Sequence, residues 1–172
     1  MSGLLNVAKI NGIEAIEEVV AGTQLEPTQL APGRLTGSMA QLLVGNRLLS
    51  TAEISGSFRA YGPLSESNCT LGAIIDSSGS NSQWDYETRF GDVAVVPAGV
   101  EHDARYSQHT HWLAIGLPLE DVHRLAALYE LKGGTGFWQR PAMYRSSLRT
   151  RELISTILKR VALSMEAVPA VA

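Results

Sequence analysis

Four histidines, one cysteine and a Pro/Gly corner hold most of the chemistry this chain can offer. His102 ends the run Gly91–His102, GDVAVVPAGVEH, spaced G-x5-P-x-G-x2-H. An imidazole at the start of a strand can ligate a metal. A catalytic metal, however, needs about three protein ligands and an open position. No histidine precedes His102; His109, His111 and His123 follow it. His109 and His111 form an H-x-H in YSQHTHWLAI. Residues two apart share one face of a strand, so this pair can in principle hold a metal. The plainer reading makes His102 a packed or hydrogen-bonded rim residue, and His109 and His111 ordinary strand residues. Cys69, in SESNCTLGAII, has no neighbouring base to activate it and reads as a small core residue. One cysteine cannot form an intramolecular disulfide, which favours a reducing compartment, the cytoplasm.

The elements that position these residues are mostly strands. Val93–Val96 is an apolar run suited to a buried strand. Pro97 has no N–H to continue pairing, and Gly99 lets the chain reverse into a strand starting near Glu101. Upstream, residues 12–20 space their apolar side chains as a short amphipathic helix. Residues 23–30 alternate but carry Pro27, which predicts an edge strand or a bulge. Residues 37–44 and 47–54 read as a hairpin turning at Gly45-Asn46. Strands over 55–61, 70–76, 84–90 and within 101–117 complete the pattern, with SSGSNS (77–82) as a loop. Many short strands with Gly/Pro turns predict a sandwich or barrel over 1–118.

After Pro118 the pattern turns helical. Residues 119–131 place apolar side chains at 122, 125, 128 and 129, with Glu120 and Asp121 in the first turn. GGTGFWQRP reads as a loop. Residues 144–165 predict a long helix whose stripe includes Ile154, Ile157, Leu158, Val161 and Met165, near a coiled-coil seam. That helix either packs on its own barrel or makes a homodimer interface within a helical region 119–166. Residues 167–172 read as a linker tail.

Composition sets limits. With 45% hydrophobic and 18% charged residues, 172 residues suffice for one globular domain with a core. No apolar run reaches the roughly 18 residues of a membrane helix, and the N-terminus lacks a signal-peptide pattern. The net charge is −3, yet 140–160 carries six basic residues against Glu152 alone. A basic helix can sit near nucleic acid. With no recognition helix or basic arm in view, it reads as a solvated face or a linker.

The motif at Gly91–His102 resembles the second conserved motif of the cupin barrels. Their first motif, an H-x-H followed by Glu upstream, has no counterpart here. More broadly, LEPTQLAPGRLTGSMAQLLVG, then SGSFRAYGPLSESNCTLGAIID, then the motif resemble the effector-sensing domain of AraC-type transcriptional regulators. The resemblance spans roughly residues 20–165. It implies a cupin-like jelly-roll barrel followed by two helices that dimerise. It also implies DNA binding through helix-turn-helix units beyond Ala172, so the chain is either a fragment or a stand-alone relative.

On this reading the protein senses a small-molecule effector, without catalysis, metal or other cofactor. Arg59, Tyr61, Trp84, Tyr86, His102, Tyr106 and Trp112 are the candidate ligand contacts, as the aromatic and polar groups that barrel sites favour. Two alternatives stay open. One is a small metal-dependent cupin enzyme, a dioxygenase or isomerase, using His102 with His109, His111 or Glu101. The other is a ligand-free scaffold dimer.

Overall fold

Two antiparallel sheets face each other across a hollow interior in the computed structural model of the protein. It describes residues 3–20, 24–129, 136–149, 151–152, 156, 159–161 and 164. In chain order the elements are β1 (Leu4–Asn11), α1 (Ile13–Val19), β2 (Glu26–Gln29), β3 (Thr36–Val44), β4 (Arg47–Ser55), β5 (Phe58–Pro63) and β6 (Asn68–Ser77). Then come β7 (Asn81–Gln83), β8 (Tyr86–Thr88), β9 (Val93–Val96), β10 (Glu101–Tyr106), β11 (His109–Pro118), α2 (Leu119–Leu128) and β12 (Ala142–Tyr144). The seven-stranded sheet runs β1-β3-β4-β11-β6-β9-β12 and the five-stranded sheet β2-β5-β10-β7-β8.

The expected turns are where the sequence places them. Gly45 takes φ 62, a left-handed conformation that glycine adopts without steric cost, and β3 reverses into β4. Gly99 takes φ 68 after Pro97, and its N–H donates to the Ser65 carbonyl at 2.8 Å. This corner carries the chain from β9 in one sheet to β10 in the other, so it bridges the sheets rather than turning a hairpin. β2, with Pro27, is an edge strand as expected.

Three apolar clusters hold the fold. Ile16 of α1 packs with Ile10, Leu35, Ile54 and Phe58 and lines part of the interior. Val122 of α2 packs on Cys69, Val95 and Leu117 on the outer face of the seven-stranded sheet. Burial raises the pKa of the Cys69 thiol, consistent with a core role. Val161 packs against Ile75 and Leu113 on the same outer face. Each buried Leu, Ile, Val or Phe side chain contributes about 1.5–3 kcal/mol.

Some elements differ from the sequence reading. β1 pairs with β3 over eight residues where no strand was expected. Residues 84–90 are not one strand: Trp84 takes φ 51 in the turn between β7 and β8. Its backbone N–H donates to the Asp103 carbonyl at 2.6 Å and its indole to the Glu101 carbonyl at 3.0 Å, and these tertiary bonds outweigh the local alternation. Tyr144 belongs to β12, paired with Val93, rather than to the long helix; the described residues from Leu148 to Ser164 are helical. The barrel sheet therefore takes a strand from the region assigned to helices. On α2 the expected stripe is only partly buried: Val122 is covered, with Asp121 and Ala126, while Leu128 and Tyr129 are about 70% exposed. Asp121 turns inward because Arg47 and Arg124 both pair with it.

Candidate ligand cavity

The barrel encloses a cavity of about 500 Å3 between its sheets. Alternation along the strands decides its wall. On β11, Trp112, Ala114 and Gly116 line it, while Leu113 and Leu117 pack on the opposite face. Cross-strand register sets Ala114 beside Gly72 of β6, and Gly72 beside Ala94 of β9. One residue along, Ile115, Leu71 and Val95 make the matching row outside. In this row the small side chains face inward and the large ones outward, which leaves the space beside it unfilled.

Neither Gly72 nor Gly116 is required by the backbone. Both have φ in the ordinary range, and a Cβ added at Gly72 would meet Ala114 at 3.8 Å, at Gly116 its nearest neighbours at 3.7 Å. These are ordinary contact distances. A strand glycine costs roughly 0.5–1 kcal/mol relative to alanine, so these two weaken the sheet while keeping space open.

Three of the seven expected contacts line this cavity. Tyr106 stacks between Phe58 and Trp112, with centroid distances of 4.9 and 5.0 Å. His102 faces inward from β10, 5% exposed, and its Nδ1 lies 2.8 Å from the Gln83 side-chain nitrogen. An amide NH2 only donates, so Nδ1 is the acceptor and Nε2 carries the proton. Burial lowers the His102 pKa to about 4, against a smaller opposing pull from Asp103, so the ring is neutral near pH 7. Burial likewise raises the pKa of the Tyr106 hydroxyl.

The other four expected contacts lie elsewhere. Arg59 and Tyr61 alternate with Phe58 and Ala60 on β5 and project from the opposite face. Arg59 grips Asp103 through two hydrogen bonds, at 2.7 and 2.8 Å, and sits 4.9 Å above the Tyr61 ring. That pairing raises the arginine pKa and lowers the aspartate pKa. Trp84 is held in its turn, and Tyr86 is 58% exposed. Of the expected dimer residues, Val161 packs on the barrel; Ile154, Ile157, Leu158 and Met165 lie outside the described residues.

Among the wall residues that the sequence reading did not single out as ligand contacts are Phe58, Gln83, Gly72 and Asp92. Asp92 has a fully buried carboxylate. It accepts the Arg89 backbone N–H at 3.1 Å and pairs with Arg151, in the C-terminal helical segment, at 3.4 Å.

The alternative metal set is not assembled. His102 points into the barrel from the five-stranded sheet. His111 and His109 stand on the outer face of the seven-stranded sheet, beside Thr51 at 3.1 Å and Glu53 at 3.5 Å. Glu101 projects outward beside Tyr61. Among the described residues no three His, Cys, Asp or Glu side chains converge.

The fold resembles that of an AraC-like transcriptional activator. Its crystal structure, of CuxR, matches with a TM-score of 0.62 over 98% of this chain, at 9% sequence identity. This chain spans 63% of CuxR's length. Fainter likenesses are to vicilin from Corylus avellana (hazelnut) and to oxalate decarboxylase. Vicilin is 10% identical over 77% of this chain and 50% of its own, TM-score 0.37; oxalate decarboxylase is 14% identical over 73% and 37%, TM-score 0.33. No family profile and no curated protein matches the sequence. At these identities the likeness is one of fold alone, that of a mainly β protein built from two antiparallel sheets. No helix among the described residues is long and apolar enough to cross a membrane.

Proposed function

We propose that this chain is the ligand-sensing and dimerisation domain of a transcriptional regulator, and that its effector binds inside the barrel. The observation that carries the reading is the row Ala114-Gly72-Ala94 beside a space of about 500 Å3, where a Cβ added at Gly72 meets nothing closer than 3.8 Å. That volume is within the range of about 300–1,000 Å3 usual for small-molecule sites. The CuxR-like fold supports the regulatory context.

The signal leaves the cavity through Asp92, which lines it and holds Arg151. The effector acts by favouring one of two packings of that helical segment, as a switch requires differential affinity for two states. A homodimer forms through the stripe Ile154, Ile157, Leu158 and Met165, and DNA is contacted by a unit outside this chain, in the cytoplasm. No catalysis, metal or other cofactor is involved.

A thermal-shift screen of a metabolite collection tests the reading. A ligand that binds only the folded state raises the melting temperature saturably. At least one compound is expected to do so, and to lose the effect in Ala114→Leu, which fills the cavity. The reading fails when no compound shifts the wild type, or when the filled variant responds equally. Leu158→Asp is expected to give monomers in sedimentation; an unchanged dimer places the interface elsewhere.

A further inference from the structure

We propose that the cavity selects an uncharged, largely apolar molecule carrying a carbonyl-type hydrogen-bond acceptor, and rejects anions. The inference rests on the cavity being the effector site and adds the chemical class of the effector. Three observations carry it.

The first is charge. No lysine or arginine lines the cavity among the described residues. The acidic groups on its wall are Asp92, already paired with Arg151, and Glu66, exposed at its edge. A carboxylate or phosphate moved inside meets no cation and loses its hydration, a cost that grows steeply with burial. Glu66, exposed, adds repulsion toward an anion.

The second is the unused hydrogen-bonding capacity. His102 is 95% covered, and Gln83 occupies Nδ1. Nε2–H has no partner among the described residues, and the ring lines the cavity. The Trp112 indole, on the same wall, carries a second N–H donor. Both groups can only donate in these protonation states. A ligand that satisfies them brings an acceptor, and buried donors left unpaired penalise a ligand that brings none.

The third is the wall itself. Phe58, Tyr106 and Trp112 form one aromatic surface, and the small side chains opposite expose mostly carbon. Apolar area therefore supplies the affinity, and the His102 donor sets the orientation.

The test uses three naphthalenes substituted at the same ring position: the methyl ketone, the ethyl hydrocarbon and the carboxylate. Binding to the whole chain is measured by equilibrium dialysis at neutral pH. The ketone is expected to bind about tenfold tighter than the hydrocarbon, the scale of one net hydrogen bond. The carboxylate is expected to bind at least about a hundredfold more weakly than the ketone. In His102→Phe the ratio of ketone to hydrocarbon affinity should fall to about one, with circular dichroism showing that the variant folds. If that variant does not fold, the wild-type ranking decides alone. A carboxylate binding as tightly as the ketone, or a hydrocarbon equal to it, overturns the ligand class and leaves the cavity reading intact. No binding by any of the three overturns the class if Ala114→Leu abolishes a metabolite response, and removes the cavity reading with it if no metabolite responds.

Discussion

Ile115, Leu71 and Val95 form a row across three strands on the outer face of the seven-stranded sheet; Ala114, Gly72 and Ala94 form the next row on its inner face. The same three strands supply both, one residue apart. The outer row lies against α2 and the segment around Trp138, packed as a core. The inner row faces the cavity. Across these three strands the sheet separates two tasks: packing on the face that helices cover, and vacancy on the face that looks toward the second sheet. The five-stranded sheet divides likewise, with Arg59 and Asp103 paired on one face and Ala60 and Ala104 against the cavity on the other.

The contrast is broken most severely from outside. Leu113, 5% exposed, packs with Ile75, Leu49 and Val161. Leu113→Ala should cost about 2–5 kcal/mol of unfolding free energy, read from urea denaturation, because it opens a void the surroundings only partly refill. A loss under about 1 kcal/mol would mean the outer layer is not a core.

Lowering the pH attacks the inside. His102 has a folded pKa of about 4, below the 6.5 of an unhindered histidine. Between these values the unfolded chain binds the proton that the folded chain refuses. Stability from this group is therefore complete above about pH 6.5 and lost as pH falls toward 4, by about 3 kcal/mol in all. Denaturation midpoints at stepped pH should show this decline, and His102→Phe should flatten it over that window.

Two smaller changes sharpen the contrast. Gly72→Ala should raise stability by about 0.5–1 kcal/mol, since its methyl meets Ala114 at contact distance without backbone strain. A destabilised Gly72→Ala shows that the inner row is packed rather than open. Arg59→Met, on the outer face, should cost no more than about 1 kcal/mol, the scale of a solvent-exposed ion pair, and leave ketone binding unchanged. An altered affinity would return Arg59 to the site.

Most of the barrel is legible in local sequence, where turn chemistry dictates it: Gly45-Asn46, Pro97 with Gly99, and Pro27 on an edge. β1 and β12 are not, because each is defined by a partner far along the chain rather than by its own alternation. The site is half legible. Tyr106, Trp112 and His102 follow from residue type, but Arg59 and Tyr61 do not, since facing depends on register and one residue reverses it. The size alternation in WLAIGL held the missing clue: Ala114 and Gly116 share one face of the strand, and Leu113, Ile115 and Leu117 share the other.

Asp92 has two neighbourhoods. It forms part of the cavity wall and it anchors Arg151. Coupling free energy is reciprocal: an occupant that displaces this carboxylate loads the helical segment. Whatever grips that segment from outside must then retune the cavity's affinity by the same factor. On the proposed function, a second subunit gripping that segment would act as a ligand of the same equilibrium, and effector affinity would differ between the assembled and the separate chain.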